Sequence, residues 1–320
     1  MNIPSRYTLL LAAFAIIVAT DADAAHSRHH AAQLAEYSMP DSAELPHLSA
    51  LSVLVLNQDD DLPLYQKNTD METPIASISK LMTAMVVLDS HPDMDEVLEI
   101  TQADVDTLRH SSSRLAVGTR LSRGELLHLA LIASENRAAS ALARNYPGGM
   151  EKFIAAMNRK TRSLGMLHTR FEDPTGLSSN NQSTATDLAK MVQAAIRYPT
   201  IHEITTTGSY EITSTGMVKV RHKHKQSWRS VTRKVAFRNT NELVRDDNWD
   251  IGLSKTGFIN EAGHCLVMQA TIAQKPVIIV LLDAYGKYGR ISDAKRIKEW
   301  LEQRSVNNKV ALRQDRISRN

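Results

Sequence analysis

The chain lacks most features that would settle its class at a glance. It has one cysteine, Cys265, in 320 residues, so no intrachain disulfide can form and stability must come from an apolar core. Cys265 stands in the strand-like run HCLVMQATI, where a small buried hydrophobe is expected rather than a reactive thiol. Beyond the N-terminus there is no run of 18 or more apolar residues, which excludes a later membrane-spanning helix. The formal net charge is only +3, arguing neither for nor against an anionic partner. No internal repeat or low-complexity tract is present, so repeat architectures are excluded.

What is present begins with an export signal. Residues 1–24 carry Arg6, an apolar stretch from Tyr7 to Val18, and the small-residue site Ala22-Asp23-Ala24. No cysteine follows that site, which argues against a lipid anchor. Residues 25–45 read as a flexible leader. Residues 46–303 are expected to form one domain, with a basic tail at 304–320 whose apolar residues Val306, Val310, Leu312 and Ile317 are too sparse to hold a membrane. The expected location is the periplasm.

Along the domain, 52–57 and 62–68 read as strands joined by Asp59-Asp60-Asp61. A buried helix is expected over 74–89, with Thr73-Pro74 as its start. Ser122 and Glu125 form a capping box before a second helix. That helix meets Ser134-Glu135-Asn136 and is followed by helices to Asn145, over 150–164, and from Thr184 to about Arg197. Residues 171–182 form a loop between the last two. After residue 200 the pattern alternates as strands do, and RISDAKRIKEWLEQ closes with a helix. The fold class is α/β of the α+β kind: an antiparallel sheet drawn from both termini, flanked by helices, with a mostly helical insertion.

The segment 73–88, TPIASISKLMTAMVVL, is apolar almost all round, yet holds Ser77, Ser79 and Lys80 in its first half. A lysine is seldom buried unless it is paired or functional. Ser77 and Lys80 lie three apart, so on a helix the amine reaches the hydroxyl. Shielded from water and near another cation, Lys80 would lose its proton readily and serve as a base for Ser77. The helix start also offers N–H groups to a developing oxyanion.

Spacing alone proves little, because Ser292 and Lys295 repeat it on the terminal helix, and Ser-x-Asn occurs at Ser134–Asn136, Ser178–Asn180, Ser179–Asn181 and Ser305–Asn307. Order and context discriminate. Lys255-Thr256-Gly257 is the only Lys-Thr-Gly, and it ends a strand. Ser77-x-x-Lys80, Ser134-x-Asn136 and Lys255-Thr256-Gly257 fall in turn at a helix start, a helix junction and a strand.

These three elements are the signature set of penicillin-binding proteins and active-site-serine β-lactamases. With IASISKLMTAMVVLD, LIASENRAASALARNYPGG, FEDPTGLSSNN, FRNTNELV, DNWDIGLSKTGFINEAGHCLVM and LLDAYGKYGR, the chain resembles low-molecular-mass penicillin-binding proteins (peptidase family S11). It is most similar to D-alanyl-D-alanine endopeptidases of the penicillin-binding protein 7 type, over residues 45–303, with a β-lactamase/transpeptidase-like fold. Ser79, where that family commonly has threonine, is a minor departure. The resemblance implies that Ser77 is the nucleophile, Lys80 its base and Ser134 the donor to the leaving amine. Asn136, Lys255, Thr256 and Gly257 would bind substrate, and the N–H groups of Ser77 and Phe258 would form the oxyanion hole. It also implies peptidoglycan stem peptides and cross-links as substrate, β-lactams as covalent inhibitors, and no cofactor.

Two other readings compete. A class A β-lactamase needs a loop glutamate for deacylation. The corresponding loop here, Glu172 to Leu177, has no Glu-x-x-x-Asn, so penicillins are expected to inhibit rather than turn over. A binder of nucleic acid or anionic wall polymer is suggested by 219–238, with eight Lys/Arg and no acid. In one strand Lys219, Arg221, Lys223 and Lys225 would share a face. The export signal argues against nucleic acid and leaves a loose, charge-based contact with wall or membrane. His222-x-His224 and the leader histidines lack ligating partners, so no metal site is assigned.

Overall fold

The first two strands join the last three in one sheet. The structure, a computed structural model, describes residues 45–222 and 225–318, with side chains outside 214–231 and 308–318. The signal-like segment and the leader to residue 44 lie outside the described residues. Strands β1 (Ser52–Asn57), β2 (Pro63–Lys67), β9 (Asp250–Ile259), β10 (Gly263–Ile272) and β11 (Lys275–Ala284) run in the order β2-β1-β11-β10-β9, every pair antiparallel. The sheet drawn from both termini is therefore present, with β9 as one free edge.

All six residues of β1 are buried, as are six consecutive residues of β10 and of β11. Alternation is lost because helices cover both faces of the centre. The terminal helix α7 (Gly289–Ser318) packs on β10 and β11, and α5 (Ala185–Ala195) on β1, β10 and β11. Helix α7 runs well past Gln303, where the tail was expected, because no glycine or proline interrupts 290–318.

The insertion holds α1 (Ser79–Asp89), α2 (Arg123–Ile132), α3 (Asn136–Arg144), α4 (Gly149–Ser163), α5 and α6 (Pro199–Thr206). Helix α6 was not foreseen, although Pro199 stands at its first turn as a start signal. The Ser122–Glu125 capping box is formed. Small strand pairs brace the insertion: β3 (Thr73–Pro74) with β6 (Gln182–Ser183), and β4 (Val97–Glu99) with β5 (Arg120–Ser122). Asp104, buried, accepts hydrogen bonds from Ser140 Oγ at 2.9 Å and Arg144 Nη2 at 2.9 Å, fastening the 101–118 segment to α3.

The basic stretch forms a hairpin of β7 (Ser209–His222) and β8 (Lys225–Arg238). Lys219 and Arg221 lie on β7, but Lys225 begins β8 opposite His222, so the four basic residues do not share one strand. Lys223 and His224 lie outside the described residues.

Candidate active site

The entry to α1 departs from the expected helix start. Thr73 and Pro74 are strand, and the Ile75 N–H donates to Asn181 O at 3.0 Å. Ala76 then takes φ +47°, a short 3-10 turn covers Ala76–Ile78, and α1 begins at Ser79. The strand pairing consumes the backbone that Pro74 would have started as helix, so Ser77 sits on the 3-10 turn. Ser79 holds this bend: its hydroxyl donates to Ala76 O at 2.8 Å and accepts from Asn181 Nδ2 at 2.9 Å.

Two glycines let other segments close on the bend. At Gly176 (φ +80°) a Cβ would lie 1.9 Å from Ala76 O, and at Gly257 it would lie 2.8 Å from Ile75 O and 3.2 Å from Ser77 N. No side chain fits such an approach. Ser77 is thus flanked by the 171–182 loop and by edge strand β9.

Lys80 is fully buried. Its Nζ lies 2.9 Å from Ser77 Oγ, 2.8 Å from Asn136 Oδ1 and 2.6 Å from Thr175 O. Burial pushes its pKa down to about 7, against the opposite pull of Asp173 and Glu135. A neutral amine has two N–H donors and one lone pair. Asn136 and Thr175 are both obligate acceptors at these atoms, so they take the donors, and the lone pair is left for the Ser77 hydroxyl proton.

Ser134 links α2 to α3 with φ +59°, a strained conformation for a residue with a side chain. Its hydroxyl accepts a hydrogen bond at 2.9 Å from Lys255 Nζ, which also donates to Thr256 O at 2.8 Å. Lys255 is buried, and burial, followed by the positive charges of Lys80 and Arg290, holds its amine well below the ordinary lysine range. Thr256 Oγ1 donates to Thr240 Oγ1 at 2.6 Å. Phe258 is 51 % exposed and its ring stacks on His264 with centroids 4.4 Å apart.

The structure therefore gathers Ser77, Lys80, Ser134, Asn136, Lys255 and Thr256 into hydrogen-bonded pairs, with Gly257 against Ser77 and Phe258 next along the strand. The other Ser-x-Asn matches do not join them. Asn181 instead accepts from the N–H groups of Glu172 and Asp173 and so shapes the loop. Several contributors were not read from the sequence. Thr175 supplies only a backbone oxygen, Ser111 Oγ accepts from Asn136 Nδ2 at 3.0 Å, and Arg290 Nη1 donates to Gly257 O at 2.9 Å. No spacing rule marks such partners, since each comes from a distant segment. Among the described residues no group of three His, Cys, Asp or Glu is placed to hold a metal ion.

A serine hydroxyl facing an amine kept poor in protons, with a second serine facing a second buried lysine, is the equipment of an active-site-serine acyl transferase or hydrolase of the penicillin-recognising class. The comparisons with known proteins agree. The profile of the D-alanyl-D-alanine carboxypeptidase family, peptidase S11, matches residues 39–286, and the chain belongs to that family of serine DD-peptidases. It is 47% identical over 268 residues to a D-alanyl-D-alanine endopeptidase of Pseudomonas aeruginosa, spanning 83% of this chain and 82% of the relative. It is 44% identical over 261 residues to that of Escherichia coli, spanning 82% and 80%. Its fold matches the crystal structure of the Streptomyces K15 DD-transpeptidase with a TM-score of 0.70 at 29% identity, covering 80% of this chain and 97% of the other.

Proposed function

We propose that the protein hydrolyses D-alanyl peptide bonds in peptidoglycan cross-links through an acyl-enzyme on Ser77. The observation that carries this reading is the buried Lys80, 2.9 Å from Ser77 Oγ with two acceptors on its other side. Ser77 Oγ attacks the D-alanyl carbonyl as its proton passes to Lys80 Nζ. The carbonyl oxygen becomes an oxyanion facing the Ser77 and Phe258 N–H groups. The tetrahedral adduct collapses, the C–N bond breaks, and the departing amine takes a proton through Ser134. Water then attacks the Ser77 ester, Lys80 takes the water's proton and returns it to Ser77 Oγ as the ester C–O bond breaks, and the free acid leaves. Asn136, Lys255, Thr256 and Gly257 line the path of a peptide laid along β9, an edge strand that can accept an added strand.

Endopeptidase action on cross-links is favoured over carboxypeptidase action by the names of the P. aeruginosa and E. coli relatives. Inhibition by penicillins, rather than their turnover, is favoured by the 171–182 loop. There Glu172 is exposed and accepts from Ser178 Oγ at 3.2 Å and Asn180 Nδ2 at 3.0 Å, while the Lys80 contact is a backbone oxygen. A periplasmic location follows from the signal-like N-terminus, and no helix among the described residues is long and apolar enough to cross a membrane. The catalytic domain is assigned to 46–303. The basic hairpin would add a loose contact with anionic wall polymer.

Labelling with a fluorescent penicillin tests the reading. A stable adduct on the Ser77 peptide, absent in Ser77→Ala, followed by cleavage of cross-linked muropeptides, is the expected result. Rapid release of the label would point to a β-lactamase, and no adduct would remove the proposed nucleophile.

A further inference from the structure

One side chain ties the 171–182 loop to the turn that follows β9. Arg109 belongs to a turn organised by Asp106, whose carboxylate accepts from the N–H groups of Leu108, Arg109 and Ser111, each at 2.9 Å. Although burial pushes Asp106 upward, hydrogen bonds from the Ser111 side chain and the Arg109, Ser111 and Leu108 N–H groups hold it down to about 2. The same turn carries Ser111, which holds Asn136. From this anchored turn, Arg109 Nε donates to Leu177 O at 2.5 Å, and its Nη1 lies 2.9 Å from Glu261 Oε2.

Leu177 lies on the 171–182 loop that flanks Ser77, and Glu261 lies in the turn directly after β9, the strand on the other flank. Leu177 directly follows Gly176, where there is no room for a Cβ beside Ala76 O, and Glu261 lies four residues after Gly257, beyond the half-exposed Phe258. Four residues span no more than about 13 Å of extended chain. A peptide added along β9 toward Phe258 therefore meets Arg109 within a few residues.

The two partners hold Arg109 differently. Leu177 O fixes the Nε side to the loop, whereas Glu261 is a turn residue, 48% exposed, joined through a single Nη1–Oε2 contact. Partly exposed pairs of this kind are weak, and a guanidinium accepts any carboxylate of suitable geometry. We propose that Arg109 is a specificity residue that binds a carboxylate of the substrate stem peptide, with the Glu261 carboxylate occupying its place until substrate arrives. This rests on the peptidase reading above and names a feature of its substrate: a free carboxylate near the cleaved bond, rather than its amide. Arg109, anchored on Leu177 O, stays in position while Glu261 swings away.

The exchange gives the two residues opposite signatures. The test uses the full mature chain and pairs of stem-peptide substrates that differ only in a carboxylate or its primary amide, placed on either side of the cleaved bond. Labelling by fluorescent penicillin serves as the control. The wild-type protein is expected to favour the carboxylate form of one pair by about threefold in kcat/KM. Arg109→Gln should reduce that form to the level of the amide. Glu261→Gln should raise it by about threefold and leave the amide unchanged, because the competing carboxylate is gone. Both variants should keep a thermal unfolding midpoint close to that of the wild type, and penicillin, which carries a carboxylate of its own beside the bond it opens, is used on the wild type alone. Equal shifts of carboxylate and amide forms in both variants would make the pair a mere tie between the walls, and no discrimination in any wild-type pair would also overturn the proposal. Failure of penicillin labelling in the wild type would instead sink the peptidase reading itself.

Discussion

The Ser-x-x-Lys spacing occurs twice in this chain, and the two copies have opposite fates. At the entry to α1, Lys80 is fully buried with its amine on Ser77 Oγ, Asn136 Oδ1 and Thr175 O. In the first two turns of α7, Ser292 is half-buried and Lys295 is exposed to solvent. The buried group there is Asp293, which accepts from Ser49 N, Ser49 Oγ and Ala50 N and ties the N-terminal segment to the last helix. Three-residue spacing only makes a contact available. Removal of water from the amine, and acceptors that occupy its N–H groups, are what would turn that contact into the proposed base.

Ser77→Ala should give the largest effect: complete loss of penicillin adduct and peptidase turnover, while Ser292→Ala labels normally. Intact acylation in Ser77→Ala, by mass spectrometry, would break the contrast at its root. Lys80→Ala should slow acylation by roughly 10³-fold, the usual worth of a positioned general base, with Lys295→Ala within twofold of wild type. Stopped-flow acylation kinetics measure both.

The acid dependence sharpens the same contrast. Lys80 must be neutral to take the Ser77 proton, and burial brings its pKa down to about 7. Acylation should therefore rise with pH to a plateau above about 7, and fall about tenfold per unit well below it. The stability linkage has the same sign. The unfolded chain binds the Lys80 proton up to the ordinary lysine range, so this group makes the folded state relatively more stable as pH rises from about 7 toward that range. A rate profile flat between pH 5 and 9 would exclude Lys80 as the base.

Asp293→Ala should act on stability rather than chemistry. Leaving Ser49 and Ala50 N–H groups without their buried acceptor should cost about 2 kcal/mol in denaturant unfolding, with penicillin acylation of the folded fraction unchanged. A loss of acylation without a loss of stability would mean that α7 reaches the site more directly than its contacts show.

Much of the fold was legible because it rests on patterns local in sequence. The apolar run of α1, the capping box at Ser122 and the three consecutive strands β9–β11 each announce themselves within a dozen residues. Thr73-Pro74 misled because its helix-start signal is local, whereas its pairing partner, Gln182–Ser183, lies far along the chain. The end of α7 was read too early because basic and polar composition suggests a tail, while nothing in 304–318 breaks a helix.

The sequence by itself determined the chemical inventory: a serine and a lysine three apart in an apolar helix, a Ser-x-Asn at a helix junction, and a Lys-Thr-Gly ending a strand. Only the tertiary structure decided which copies meet, because catalytic contact needs segments separated by dozens of residues to converge. Gly176 and Gly257 press against the Ala76–Ser77 backbone, Thr175 turns a carbonyl to Lys80, and Arg109 spans from Leu177 to Glu261. Burial of Lys80 likewise belongs to the packed whole, since no short stretch of chain can exclude water from an amine.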